Sequence, residues 1–96
     1  MAEHSLVPHR SRGVAWQVLD GELVLLRAID NELLGLNDVG RRVWELSDGT
    51  RSIGQIVEAL IVEFHVPARQ AAADTCQFID DLVAIRALEF HAAAAD

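Results

Sequence analysis

The segment "LLGLNDVGRRVWELSDGTRSIGQI", Leu33 to Ile56, contains the change of pattern that decides the fold. Its first four residues form an apolar run that is typical of a strand, and Asn37 follows directly. A short side-chain oxygen can accept hydrogen bonds from the free N–H groups of a first helical turn, so Asn37 or Asp38 predicts a helix start. Apolar residues then recur at helical spacing, at Val39, Val43 and Leu46. The chain is therefore expected to change from extended to helical at Asn37.

Upstream of this junction the pattern has a period of two. Val14, Trp16 and Val18 alternate with smaller or polar residues, and Asp20-Gly21 follows them. Asp-Gly is favoured in type I′ hairpin turns, because both central residues need a positive φ. Segments 22–28 and 33–36 then read as two further strands, separated by a turn at 29–32. This order predicts a three-stranded antiparallel meander, which must pack on something else to be stable.

Downstream, two more helices are predicted. Gly49 is suited to ending the first helix, and Ser52 with Gln55 forms a capping box for the second. Pro67 suits the first turn of the third helix. The second helix has one apolar stripe at Ile53, Ile56, Val57, Leu60, Ile61 and Phe64. The third helix has two neighbouring stripes, Ala71, Thr75, Phe78, Leu82 and Ile85, and Cys76, Ile79 and Val83.

The predicted fold is an α+β domain, similar to a winged helix-turn-helix, with a three-stranded antiparallel sheet followed by three α-helices. We expect residues 1–12 to be a flexible arm, residues 13–90 to be the folded domain, and residues 91–96 to be a frayed tail. Trp44 and Phe78 are predicted core anchors.

Charge and cysteine content limit the classes of function. The chain has 96 residues and a net charge of −7, and all eight of its basic residues are arginine. Binding to nucleic acid phosphates requires clustered positive charge, so this balance argues against it. Cys76 is the only cysteine, and no apolar run is as long as a signal peptide or a membrane span. These features predict a cytoplasmic protein with no membrane partner.

No catalytic, metal or cofactor site is predicted. The histidines at 4, 9, 65 and 91 lack the spacing of metal ligands, and Cys76 lies on an apolar helix face. A buried, inert thiol is the expected state, because no neighbour in the sequence would lower its pKa. Asp80 and Asp81 diverge by about 100° on a helix, so they indicate a solvated face rather than a carboxylate pair.

The third predicted strand, Leu33–Leu36, raises the question of what covers it. It would lie at a sheet edge, where unpaired backbone groups invite another strand. Gly35 leaves room for a second backbone, and the third helix has more apolar width than one packing face requires. An open edge beside an apolar helix is the geometry of β-strand addition by a peptide. Coverage by residues 1–12 or by a second copy of the chain is the alternative, and periodicity alone weighs the two equally.

The residues of this region resemble the PqqD family. The family pattern is a strand ending in Leu-Asn, a helix with an apolar and aromatic centre, an Asp-Gly turn, and a second helix with a regular apolar stripe. "LLGLNDVGRRVWEL" and "SDGTRSIGQIVEAL" match it through Leu36, Asn37, Trp44, Leu46, Asp48, Gly49, Ile53, Ile56, Val57 and Leu60. "ADTCQFIDDL" matches the third-helix pattern through Asp74, Phe78, Ile79 and Leu82. The resemblance covers about residues 10–90.

This resemblance implies a RiPP recognition element, a non-catalytic chaperone for a ribosomally made precursor peptide. Such domains bind the leader of the precursor and present it to a modifying enzyme, often a radical SAM protein. The sequence departs from the family at Arg86 and Ala87, where a glycine often stands. It also departs at Arg27–Glu32, which lacks the proline-glutamate sequence typical of members that act in pyrroloquinoline quinone synthesis. The natural product is therefore left open.

The resemblance places the leader as an added strand on the third strand, beside the third helix. The predicted peptide-binding residues are Leu33, Leu34, Gly35, Leu36, Thr75, Cys76 and Ile79. Two other functions compete with this one: a winged-helix DNA-binding regulator, and a structural module in which a homodimer covers the third strand.

Overall fold

The computed structural model describes residues 4–27 and 30–92. Its elements in chain order are β1 (Leu6–Arg10), β2 (Ala15–Leu19), β3 (Glu22–Leu26), β4 (Leu33–Leu36), α1 (Asp38–Leu46), α2 (Ile53–Phe64), α3 (Ala68–Ala84) and β5 (Leu88–Ala92). The predicted α+β class is confirmed, with three antiparallel strands followed by three helices. A second sheet, formed by β1 and β5, is added to this arrangement.

The three-stranded sheet has the order β2-β3-β4, and both of its pairings are antiparallel. Asp20 and Gly21 join β2 to β3 with φ angles of 51° and 81°, as the predicted type I′ turn requires. Leu25 pairs with Leu34, and Leu23 pairs with Leu36. Because side chains alternate along a strand, these four leucines share one face of the sheet. That face packs against the helices.

The helix boundaries follow the capping residues that the sequence indicated. Asn37 caps α1, and its side chain accepts a hydrogen bond from the Gly40 N–H at 2.8 Å. Ser52 and Gln55 form the predicted capping box of α2. The side chain of each residue accepts a hydrogen bond from the backbone N–H of the other. This satisfies N–H groups that have no partner within the helix. Pro67 occupies the N-cap position of α3, just before Ala68.

The expected division into a flexible arm and a frayed tail is wrong where it falls on β1 and β5. Leu6–Arg10 pairs antiparallel with Leu88–Ala92, from Leu6 opposite Ala92 to Arg10 opposite Leu88. Val7 and Leu88 are buried, one on each face of the ladder, and this burial of apolar surface stabilises the pairing. Pro8 is tolerated because a proline can occupy an edge strand. Residues 1–3 and 93–96 of the predicted arm and tail lie outside the described residues.

The core lies between the inner face of the sheet and the three helices. Trp44 is fully buried, as predicted, and the edge of Trp16 approaches it with a centroid distance of 6.2 Å. The guanidinium carbon of Arg10 lies over the Trp44 ring, 5.8 Å from the ring centroid. The same guanidinium donates a hydrogen bond to the Trp44 carbonyl at 3.0 Å. The largest fully buried apolar side chains around this tryptophan are Leu23, Leu25, Ile53, Ile56, Leu60, Ile79, Leu82 and Leu88.

Helix α3 ends in a Schellman motif that is built around an arginine. The Arg86 N–H donates to the Val83 carbonyl at 3.0 Å, and the Ala87 N–H donates to the Leu82 carbonyl at 2.8 Å. Arg86 itself has a φ of 64°, the left-handed conformation that glycine usually supplies at this position. The motif turns the chain from α3 into β5. No helix of the described residues has the length and hydropathy to cross a membrane.

Candidate functional site

Strand β4 forms one edge of the three-stranded sheet. It pairs with β3 on one side, and no strand of the described residues pairs with its other side. Buried polar backbone groups require partners, whereas this side of β4 can offer its N–H and C=O groups to another chain. The predicted open edge at Leu33–Leu36 is therefore present in the folded protein.

A groove runs between this edge and α3. It has a volume of about 520 Å³ and is mainly apolar. Leu34 and Leu36 form its strand side, and Phe78, Leu82 and Ile85 form its helix side. Phe78 and Ile85 are half-buried, so each keeps part of its side chain available to a bound molecule. Its other lining residues are Arg27, Gly35, Asn37, Asp81 and Ala84.

The groove offers two kinds of interaction together. The edge of β4 supplies backbone hydrogen-bond donors and acceptors at a regular spacing, and the apolar helix side supplies a surface for alternate side chains. An extended peptide satisfies both, because every second side chain of a strand points to the same side. The arrangement therefore suits a strand-forming peptide better than a small, compact molecule.

The predicted helix side of the site is wrong in its orientation. Thr75 and Ile79 have no exposed surface, and Cys76 is 8% exposed. All three point into the core, so they are not on the exposed side of α3. Phe78, in contrast, was predicted as a core anchor and instead lies half-buried in the groove. Buried and half-buried residues therefore occur in the same stripe of α3, since Thr75 and Leu82 are buried whereas Phe78 and Ile85 are half-buried.

The residues predicted on β4 agree with the lining of the groove better than the residues predicted on α3 do. Leu34, Gly35 and Leu36 line the groove. Leu33 is 68% exposed and pairs with Leu26. By the alternation of the strand, its side chain lies on the sheet face opposite Leu34, so only its backbone belongs to the open edge. The contact of these residues with a peptide stays a prediction.

Sequence patterns missed Arg27, Asp81, Leu82 and Ile85 as groove residues. A helical stripe containing Phe78, Leu82 and Ile85 was visible, but two equally apolar stripes gave no sign of which one faced the sheet edge. Arg27 comes next to β4 only through the pairing of β3 with β4. Charge did not distinguish the two stripes, because Asp81 lies one turn from Phe78 and Asp80 lies one turn from Cys76.

Cys76 is not placed for nucleophilic chemistry. Burial is the main cause that raises the pKa of its thiol, and the nearby Asp80 carboxylate raises the pKa further. A thiol with a raised pKa holds its proton and is a weaker nucleophile than a thiolate. The Cys76 Sγ lies 3.6 Å from the His4 Nε2. In the described residues no cluster of three or more His, Cys, Asp or Glu side chains could hold a metal ion.

Comparison with known proteins identifies the family. The model of the family described as coenzyme PQQ synthesis protein D (PqqD) matches residues 22–88, from the start of β3 to the start of β5. The chain belongs to the PqqD family. The match includes β4, α1 and α3, so every element of the groove lies inside the family domain. The resemblance found in the sequence is confirmed.

Two solved structures are similar to this PqqD-family chain. One is TbiB1 in complex with the TbiA(beta) leader peptide, with 30% sequence identity, a TM-score of 0.73, and coverage of 84% of this chain and 94% of that chain. The other is the solution NMR structure of the PqqD truncation of Methylobacterium extorquens PqqCD, representing a functional and stand-alone RiPP recognition element. It has 27% identity and a TM-score of 0.70, and the match covers 86% of this chain and 88% of that chain. A search of curated proteins finds no significant match.

Proposed function

We propose that this chain is a RiPP recognition element that binds the leader of a precursor peptide and presents it to a modifying enzyme. The observation that carries the proposal is the open edge of β4 beside the apolar side of α3. Membership of the PqqD family supports it. The similarity to the structure of TbiB1 in complex with a leader peptide also supports it. The precursor belongs to pyrroloquinoline quinone synthesis or to another RiPP pathway.

In the proposed complex, the leader adds to β4 as an antiparallel strand. Backbone groups of Leu33–Leu36 exchange hydrogen bonds with it, each giving a net ~1 kcal/mol. Apolar leader side chains pack between Leu34 and the α3 residues Phe78 and Ile85. Each fully buried side chain contributes about 1.5–3 kcal/mol. Ordering a flexible peptide costs about 2–5 kcal/mol, so the expected Kd is micromolar or somewhat lower.

The chain acts by binding and carries out no catalysis itself in this proposal. The groove is lined by apolar side chains with Arg27, Asn37 and Asp81, and it holds neither a nucleophile beside a base nor a metal-ligand set. The chemistry belongs to the partner enzyme, for which a radical SAM protein or another peptide-modifying enzyme is proposed. The complex forms in the cytoplasm, where the precursor is made.

Two alternatives receive less support from the same observations. A DNA-binding winged helix needs a basic surface, whereas the net charge here is −7. A homodimer that covers β4 would use the same edge and groove as the leader. The two uses are therefore mutually exclusive, and a peptide that binds β4 should dissociate such a dimer.

The test is a titration of the ¹⁵N-labelled chain with a synthetic leader, taken from the precursor reading frame beside its gene. Backbone signals of Leu34–Leu36 and α3 around Phe78 should shift. Phe78→Ala should weaken binding by about 5-fold to 30-fold, since ~1–2 kcal/mol of half-buried contact is lost. Glu58→Ala, at an exposed position of α2, is the matched control and should bind like the parent.

Circular dichroism must show that both variants are folded. Equal binding by Phe78→Ala and the parent would mean that the groove is not the site. Light scattering with and without the leader separates peptide binding from dimerisation.

A further inference from the structure

The groove beside β4 continues beyond its apolar centre at both ends. At one end it shares Asn37, Phe78 and Asp81 with a depression of about 290 Å³. At the other end it shares Arg27, Ala84 and Ile85 with a depression of about 570 Å³. We call these the α1 end and the β5 end of the groove. Through these shared residues the three segments form one continuous channel, and β4 itself lines only the central segment.

The two ends carry opposite charges. Asp74 and Asp81 line the α1 end, together with Gln77, and no arginine or histidine of the described part of the chain lines it. Arg12, Arg27 and Arg86 line the β5 end, and no aspartate or glutamate of residues 4–27 and 30–92 lines it. Three of the chain's eight arginines therefore meet at one end of the channel, although the chain as a whole is acidic.

Two of these arginines have their charge available. Arg27 forms an ion pair with Asp30. Within residues 4–27 and 30–92, neither Arg12 nor Arg86 forms an ion pair or a side-chain hydrogen bond, and both are exposed. An arginine guanidinium presents five donors and pairs well with a carboxylate, so the β5 end is suited to an acidic side chain.

The backbone at Arg86 adds an independent observation. Arg86 adopts the left-handed conformation, which costs most residues about 1–2 kcal/mol relative to glycine. Glycine would complete the same Schellman motif without that cost. Because this position holds an arginine instead of glycine, a guanidinium group stands at the end of the channel.

The direction of the channel follows from the pairing of β4. Leu36 precedes Asn37 at the α1 end, and Leu33 pairs with Leu26, next to Arg27, at the β5 end. A strand that is antiparallel to β4 enters at the α1 end and leaves at the β5 end. Its N-terminal part therefore leads toward the depression lined by Asp74 and Asp81, and its C-terminal part leads toward the depression lined by Arg12 and Arg86.

We infer that this groove selects peptides with a basic side chain before, and an acidic side chain after, the apolar segment that adds to β4. The inference rests on the proposed function and adds the charge pattern and direction of its ligand. The apolar centre gives most of the affinity, while the charged ends fix the register and reject peptides of the opposite pattern.

The test uses two synthetic peptides of identical composition. Both have an acetylated N-terminus, an amidated C-terminus and the same central segment of alternating apolar residues and threonine. The forward peptide has two arginines before this segment and two glutamates after it, and the reversed peptide has these residues exchanged. Each is titrated into the ¹⁵N-labelled full chain. At low salt the forward peptide should bind about five-fold tighter or better, because exposed ion pairs replace like-charge contacts. High salt should reduce the difference.

A pair of matched variants locates the effect. Arg12→Glu should remove most of the preference for the forward peptide, because it reverses a charge at the β5 end. Arg69→Glu makes the same change at an exposed position of α3 that lines none of the three segments, and it should keep the preference.

Each outcome decides a separate point. If both peptides shift the signals of β4 and α3 with equal affinity, peptide binding stands and the charge selection is wrong. Tighter binding of the reversed peptide also overturns the inference. If neither peptide shifts those signals, the charge selection fails, and the titration with the leader decides the proposed peptide binding separately.

Discussion

The ring of Phe78 lies directly against the backbone of Gly40. A Cβ atom on Gly40 would stand 2.7 Å from Cε2 and 3.0 Å from Cζ of that ring. The first turn of α1 can therefore approach α3 only because residue 40 has no side chain. This contact holds the aromatic ring at the wall of the groove, so the packing of two helices sets the position of a proposed binding residue.

We expect Gly40→Ala to destabilise the fold and weaken peptide binding. The new methyl group must displace the Phe78 ring, and overpacking of this kind costs about 1–3 kcal/mol. The gain in helix propensity of about 1 kcal/mol offsets only part of that cost. Urea denaturation measures the stability, and titration with the leader measures the binding.

Gly54→Ala is the control for this change, because Gly54 is also a helical glycine. A Cβ there would meet the His4 carbonyl oxygen at 3.5 Å, an ordinary contact. Alanine should therefore stabilise α2 by up to about 1 kcal/mol. A Gly40→Ala protein as stable as the Gly54→Ala protein would contradict the packing assigned to Phe78.

Thr75→Val should raise stability and leave peptide binding unchanged. Thr75 is fully buried, and its hydroxyl has no hydrogen-bond partner among the described residues. Burying an unpaired polar group costs about 1–3 kcal/mol, and valine has nearly the same shape. Thermal denaturation should give a higher Tm. A loss of affinity in a folded Thr75→Val protein would return this residue to the binding site.

Arg86→Gly should stabilise the chain by about 1 kcal/mol, since glycine adopts a positive φ without steric cost. The same change should weaken binding of a peptide with an acidic C-terminal part. Arg86→Ala separates the two effects, because it removes the charge and keeps the unfavourable conformation. If alanine stabilised the chain as much as glycine does, the left-handed backbone at residue 86 would not be the cause.

Asp48 should contribute stability that disappears in acid. Its carboxylate accepts hydrogen bonds from the Thr50 hydroxyl and the Thr50 N–H, and Arg51 lies nearby. The Thr50 hydroxyl is the main cause that lowers the pKa of Asp48 below its ordinary value of 3.8. The folded state therefore binds this proton less readily than the unfolded state. The contribution is complete above pH 3.8 and is lost as the pH falls through the lower folded pKa.

The measurement compares the parent with Asp48→Asn by urea denaturation between neutral pH and pH 3. The stability of the parent should fall more steeply in the acid range. Parallel curves for the two proteins would show that the Asp48 carboxylate contributes no pH dependence.

Local signals in the sequence predicted most of the elements. The Asp20-Gly21 turn and the Ser52-Gln55 capping box depend on neighbouring residues, so the sequence contains all the information they need. The pairing of β1 with β5 joins residues more than 75 positions apart, and no local pattern specifies it. Strand β1 is also short and contains Pro8, so the sequence alone does not indicate a strand there.

The strand side of the candidate groove was predictable from the sequence, and its helix side was not. An apolar strand at the end of a meander must form an edge, so the location of β4 followed from chain order. On α3, burial depended on how the helix is rotated against α1 and the sheet. The Gly40 contact with Phe78 fixes that rotation, and it turns Ile79 toward the core.

The ladder between β1 and β5 has a consequence for covalent fusion to a partner. Leu6 faces Ala92 at one end of the ladder, whereas Arg10 faces Leu88 at the other end, near the arginines of the β5 end. The two ends are separated by four residues, roughly 13 Å of extended strand. A modifying enzyme joined before β1 or after β5 would thus start from the same point, at the same distance from the groove. Fusion in either order would therefore hold the enzyme at a similar distance from the bound peptide. A circular permutant in which these two ends are joined should retain the groove.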